Sequence, residues 1–242
     1  MQPRPPDPVR PFDAEALVEQ LRISPEDAFR TAQQAAQAGR VAAQLLLAQM
    51  YMEGKGTARD PQAALLWYSL AANNGSPAAM NMLGRCHELG EGTPVDFALA
   101  ATWYRRAADA GLDWGMYNHA NLLATGRGVA KDVAKALDLY DRAAHLGHAK
   151  SMNLLARHLE EGVETNRDPQ AALAWYRRSA RSGDFRGQAN YASILLLQGE
   201  VERATHWLRL ALAHGSPSFM ARIVPELAAS EHPQIRALVA HL

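Results

Sequence analysis

An aromatic pair returns along this chain at a fixed interval. Trp67-Tyr68, Trp103-Tyr104 and Trp175-Tyr176 share a 36-residue register, with Leu139-Tyr140 in the intervening place and Trp207-Leu208 a further 32 residues on. Gly75, Gly111, Gly147, Gly183 and Gly215 keep the same spacings. So do Gly54, Gly90, Gly126 and Gly162, then Asp60, Asp96, Asp132 and Asp168, and then Ala64, Ala100, Ala136 and Ala172, with Ala204 another 32 on. A period of this length means that one supersecondary unit is copied and that the copies must supply each other's core.

The unit is helical. The chain of 242 residues holds 46 Ala and 30 Leu against 10 Val and 4 Ile, which favours helix and disfavours sheet. In AAMNMLGRCHELG, Met80, Leu83, Gly84 and His87 fall at helical spacing, and Gly90 supplies the left-handed residue that ends a helix. This first helix of each unit is called helix A. Positive φ is therefore expected at Gly54, Gly90 and Gly126. A loop leads to Asp96, a side-chain cap for the next helix, helix B; in two copies proline follows at its first position, Asp60-Pro61 and Asp168-Pro169. Helix B of the first unit runs through AALLWYSLAANN to Gly75, with Trp67, Leu70 and Ala71 expected on its covered face. Trp103 is likewise expected to be buried between units. Small residues at Ala48, Gly84, Ala120, Ala156 and Ala192 let the paired helices approach closely.

These signals predict five units over residues 41–218, at about 41–77, 78–113, 114–149, 150–185 and 186–218. The fifth loses four residues between its helices. Residues 12–39 read as a degenerate capping pair, with Ser24 as N-cap and Pro25 at the first helical position. Residues 219–242 read as C-terminal capping helices, the first kinked or broken at Pro225. The opening MQPRPPDPVRPF, residues 1–11 above all, reads as a disordered proline-rich tail and not as a secretory signal.

Charge and cysteine content narrow the function classes. Lys plus Arg number 25 and Asp plus Glu 25, so the chain lacks the basic field of a general nucleic-acid or anionic-membrane binder. No apolar run approaches the ~20 residues of a membrane-spanning helix. The lone Cys86 has no intramolecular disulfide partner and reads as a small buried hydrophobe. The expectation is a cytoplasmic protein without nucleic-acid or membrane partners.

The segment LGRCHELGEGTPVDFALAATWYRRAADAG resembles the Sel-1-like repeat family, a branch of the tetratricopeptide-like solenoids with a longer inter-helix loop. The resemblance covers about residues 41–218 through "Leu-Gly-x-x-aromatic", "Gly-x-Gly", "Asp", "Ala-x-x-Trp-Tyr" and "Ala-Ala-x-x-Gly". Three departures are local: His119 stands where Leu83 does, Glu164 stands where Gly92 does, and the fifth unit lacks the long loop. The resemblance implies an all-α, right-handed solenoid of stacked helix-turn-helix repeats. It also implies a non-enzymatic adaptor or scaffold that gathers other proteins, in bacteria often in signalling, envelope or host-interaction settings.

No catalytic motif competes with that reading: HExxH, a nucleophile elbow and a P-loop are all absent from the sequence. Gly126-Arg127-Gly128 could be imagined cradling a phosphate, yet it returns as Gly54-Lys55-Gly56 and Gly90-Glu91-Gly92 and belongs to the repeat turn. His145 and His148 flank the helix end at Gly147, where a cation complements the dipole. No catalytic residue, cofactor or metal site is expected.

By the same resemblance helix A lines the concave side, and its outward ridge gives the candidate binding residues: Asn81, Tyr117 and Asn153 at one level, Arg85, Asn121 and Arg157 four residues on, and Trp114, Lys150 and Arg186 at the leading edge. Asn amides bond both groups of an extended backbone, and Arg offers a fork to a carboxylate. Such a groove suits a protein segment that is acidic or ends in a free C-terminus. A competing reading takes these as solvated helix residues, offset by Glu88, Glu160 and Glu161. A structural, self-assembling solenoid is the alternative to the adaptor, so a monomer or a weak homo-oligomer is expected.

Overall fold

The computed structural model describes residue 19 and residues 21–241. The proline-rich opening and most of the first helix expected for the degenerate pair lie outside the described residues. Among the described residues the chain is all-helical, without strands. The helices are α1 Pro25–Gln37, α2 Val41–Glu53, α3 Pro61–Asn73, α4 Pro77–Leu89, α5 Phe97–Asp109, α6 Asp113–Thr125 and α7 Val133–His145. They continue with α8 Ala149–Glu161, α9 Pro169–Arg181, α10 Phe185–Leu197, α11 Val201–His214, α12 Pro217–Ala228 and the short α13 Pro233–Ala237. Helix α12 runs on past Pro225 instead of breaking there. The chain divides into two compact units, one reaching Gly115 and adding Arg127–Val129, the other formed by Met116–Gly126 and Ala130 onward.

The local rules read from the sequence operate around the long loops. Asp60, Asp96, Asp132 and Asp168 cap α3, α5, α7 and α9, each carboxylate accepting a backbone N–H of the first turn at 2.9–3.1 Å. The amide of each capping Asp also donates back to helix A, to the carbonyls of Tyr51, His87, Leu123 and Leu159, at 2.8–2.9 Å. Gly54, Gly90 and Gly126 lie at φ of 69°, 75° and 73°, the left-handed region that lets helix A stop and the loop turn back.

The second loop glycine answers to a different demand. A Cβ on Gly56 would lie 2.1 Å from the carbonyl oxygen of Pro25, and one on Gly92 would lie 2.2 Å from that of Pro61. At Gly128 the clash is with the Phe97 carbonyl carbon, also at 2.2 Å. In the first unit, therefore, each loop rests on the opening peptide of the preceding helix B. Glu164 occupies this repeat position in the second unit and is the one non-glycine residue with positive φ among those described, at 56°.

Within the first unit, Ala28, Ala32 and Ala36 of α1 pack on Ala43, Leu47 and Met50 of α2. Tyr68, Ala71 and Ala72 of α3 pack with Met80, Leu83 and Cys86 of α4. In the second unit Tyr176, Tyr191, Leu195, Leu208, Phe219 and Ile235 anchor the principal cluster. Ala48, Ala120, Ala156 and Ala192 are fully buried, and a Cβ on Gly84 would lie 2.6 Å from the Tyr104 ring.

This packing corrects the expectation for the tryptophans. Tyr68, Tyr104 and Tyr176 are among the largest fully buried side chains, whereas Trp67, Trp103 and Trp175 are only half-buried. Adjacent helical residues point about 100° apart, so one member of each pair enters the core and the other flanks it. Trp103 and Trp175 instead support Arg106 and Arg178, whose guanidinium carbons lie 4.3 and 4.2 Å from the ring centroids. Leu70, expected on the covered face, is 47% exposed.

The loop geometry makes opposite substitutions informative. Glu164→Gly should stabilise the chain by about 0.5–1 kcal/mol, because relief of the left-handed side-chain penalty exceeds the added unfolded-state entropy. Gly92→Ala should destabilise it by at least about 2 kcal/mol, because its methyl enters the Pro61 carbonyl. Thermal melts of both variants check the pair of signs.

Candidate functional site

The repeated tyrosine carries a polar tip into the core, and its partner depends on one helix A position. Glu88 and Glu160 are 72 residues apart in the repeat register, and each accepts from a tyrosine hydroxyl, Tyr104 and Tyr176 respectively, at 2.7 Å. Arg127 stands 3.9 Å from Glu88 and covers the Phe97 ring at 4.0 Å. Where the register brings Ala124, Tyr140 turns its hydroxyl to Asn121 instead, at 2.7 Å. Where it brings Met52, the buried hydroxyl of Tyr68 has no protein partner. Burial pushes all four phenols well above the usual tyrosine range, and the carboxylates of Glu88 and Glu160 reinforce this for Tyr104 and Tyr176.

This hydrogen-bond pattern and the stacking of repeats reassign part of the expected ridge. Asn121 is half-buried and committed to Tyr140. Asn153, expected to be exposed, is 6% exposed, and its side-chain oxygen accepts from Asn190 of α10 at 2.8 Å. The next helix A lies over it, so it is a packing residue and not a free contact. Tyr117 is half-buried against the rings of His148 and Tyr140, at 4.7 and 6.3 Å.

Other ridge residues do face solvent. In the first unit Asn81 is half-buried on α4, while Arg85, four residues on, is exposed and forms no ion pair or hydrogen bond among the described residues. Trp114 is 44% exposed at the start of α6. In the second unit Lys150 stands 5.8 Å from the Tyr117 ring, and Arg186 is exposed over Phe185 at 4.6 Å. The charges of Arg186 and Lys150 both bear on the buried carboxyl of Asp184, the N-cap of α10. Burial raises Asp184 above the usual carboxylate range, against the pull of the Gly187 amide and those two cations. Arg157 is exposed and loosely paired with Glu161 at 3.9 Å. The structure thus brings Tyr117 and Lys150 together and sets Lys150 and Arg186 about one carboxyl, while Asn121 and Asn153 are drawn into the packing.

His148 also departs from its expected role at the preceding helix end. It caps α8, its Nδ1 accepting from the Ser151 amide at 3.2 Å, with the Ser151 hydroxyl at 2.9 Å. That bond requires an unprotonated Nδ1, so His148 serves a helix start as an acceptor and not a helix end as a cation. Cys86 is buried, as expected, and burial pushes its thiol up to about 12, leaving it an inert core residue. Among the described residues no three His, Cys, Asp or Glu side chains are grouped to hold a metal ion, and no helix is long and apolar enough to cross a membrane.

The helix pairs, the αL glycine and the Asp-capped loop define a class of helical repeat, and comparison identifies it. The Sel1 repeat model matches residues 41–76, 77–112, 115–148, 149–184 and 186–216, and the chain belongs to the Sel1 repeat family, within the tetratricopeptide-like helical repeats. Sel1 repeats form a non-catalytic scaffold family, and its members generally mediate protein–protein interactions. Among solved structures the chain is similar to a Sel1 repeat protein from Oxalobacter formigenes, at 24% identity and a TM-score of 0.79, covering 93% of this chain and 97% of that one. It is also similar to a protective antigen of uropathogenic Escherichia coli strains displaying an SLR fold, at 26% identity and a TM-score of 0.71, over 94% of this chain and 52% of that one. An immunity protein from Pseudomonas aeruginosa aligns at 20% identity and a TM-score of 0.56, over 83% of this chain and 75% of that one. Against curated proteins the chain finds no match.

The tyrosine series separates a used hydroxyl from an orphaned one. Tyr104→Phe should cost about 1–2 kcal/mol by removing a charge-assisted bond, whereas Tyr68→Phe should be neutral or stabilising by up to about 1 kcal/mol. Parallel denaturant titrations compare the two; equal losses would contradict the assignment.

Proposed function

We propose that the chain is a non-enzymatic adaptor that binds a protein segment through cations on its helix A surface, and that it works in the cytoplasm as a monomer or weak homo-oligomer. The observation that carries this reading is the exposed guanidinium of Arg85 on a helix A face, which forms no ion pair or hydrogen bond among the described residues. Arg186 and Arg157 repeat this character in the second unit, the first stacked on an aromatic ring and the second only loosely paired. Guanidiniums of this kind suit carboxylates, from acidic side chains or a free C-terminus. Asn121 and Asn153 act here as packing residues that hold the surface, and Asn81, Trp114, Tyr117 and Lys150 supply polar and apolar contact area.

A second reading, self-assembly, is favoured by Leu66 and Leu70, exposed one turn apart on α3. The other long-loop repeats carry Thr102 and Arg106, Asp138 and Arg142, and Ala174 and Arg178 there.

Screening the full chain against peptides with acidic residues or free C-termini tests the adaptor reading. Combined Arg85→Ala and Arg157→Ala should weaken the best binder at least about tenfold, with an unchanged melting curve and a marked salt dependence in the parent. Undiminished affinity in the folded double variant sinks the helix A surface. A concentration-dependent sedimentation coefficient that Leu66→Asp abolishes supports self-assembly instead.

A further inference from the structure

In the second unit a cavity of about 330 Å³ lies between two helices B, α9 and α11, with Tyr191 of α10 also lining it. Its α9 side carries Arg177 and Arg181, one helical turn apart and therefore on the same face. Both are exposed, and neither forms an ion pair or hydrogen bond among the described residues. Like charges at this spacing repel, and no ion pair among the described residues offsets the two.

The α11 side is built differently. Arg203 is anchored: its guanidinium pairs with Glu200 and donates to the Tyr191 hydroxyl at 3.0 Å. Trp207 stands edge-on to Tyr191 at 5.7 Å and to His206 at 5.4 Å, giving an aromatic wall beside the cations. Glu202 is the single carboxylate in the lining. The arrangement is particular to this place in the array. Counterparts of Arg177 and Arg181 in the other long-loop repeats are Ser69 and Asn73, Arg105 and Asp109, and Asp141 and His145. Of these pairs only α9 presents two cations.

We infer that the α9–α11 groove is a second binding site, distinct from the helix A surface, for an extended acidic peptide segment with carboxylates at positions i and i+2. The argument is charge and spacing. Two guanidiniums a turn apart lie about 5–6 Å from each other at Cβ, and alternate side chains of an extended peptide share a face about 6.5–7 Å apart. Each carboxylate then meets its own guanidinium through a charge-assisted bond. The aromatic wall of Trp207 gives the peptide backbone an apolar surface to lie along.

Fluorescence polarisation of a labelled peptide with Glu at alternate positions, on the full chain, tests the site. Arg177→Gln with Arg181→Gln should weaken binding at least tenfold without lowering the melting temperature. Arg105→Gln with Arg106→Gln removes as much charge from another helix B and should leave binding of this peptide intact. A peptide of the same charge with adjacent Glu residues should bind several-fold more weakly. Equal binding of the two peptides, undiminished binding by the Arg177 and Arg181 variant, or binding of inorganic phosphate without the peptide each overturns the inference. Loss confined to the Arg85 and Arg157 variant overturns it too and leaves the helix A surface as the acidic-peptide site.

Discussion

In three of its four long-loop copies the repeat depends on the rest of a loop glycine on the opening peptide of the helix B before it. With approaches near 2 Å for any added Cβ at Gly56, Gly92 and Gly128, the loop has no room for a side chain there. The left-handed glycine closing helix A, the Asp cap opening helix B and the bond from the Asp amide back to helix A then follow within the same few residues. Together they place the next helix pair before any core side chain has been chosen. The fifth repeat, in which only three residues separate α10 from α11, is built without this device.

Core chemistry varies more freely than this frame. The repeat tyrosine is held in four copies, but its hydroxyl meets a glutamate, an asparagine or no protein group according to what helix A offers. A buried polar tip is costly when unpaired, so each copy that retains an acceptor gains rigidity that the Tyr68 copy forgoes. One acceptor is itself a ridge residue, and spending Asn121 on Tyr140 removes it from the surface available to a partner.

Charge is distributed by the same division of labour. Most cations on the described surface are stacked on rings or paired along a helix, as Arg106, Arg178, Arg142 and Arg222 are. Exposed pairs of this sort contribute little to stability. Arg85, Arg177 and Arg181 are among the cations that lack such partners among the described residues, the first on helix A in one unit and the other two in a helix B groove of the other.

The period, the all-helical class, the αL glycines and the Asp caps were legible in the sequence because each depends on a residue's own backbone preference or on groups a few positions away. Departures from the period were also visible, and Glu164 duly adopts the glycine conformation its position imposes. Which side chain of a repeated pair enters the core was not legible, since Trp103 and Tyr104 are both large aromatics at adjacent positions and the packing of α4, with Gly84 against the Tyr104 ring, decides it. The fates of Asn121 and Asn153 were decided by tertiary structure for a related reason. Each depends on a donor brought close by helix packing, and a helical spacing rule assigns a face without saying what lies across from it. The α9–α11 groove is the clearest case: its cations and aromatics stand up to 30 residues apart in the chain, and only parallel stacking of successive helices B makes them one surface.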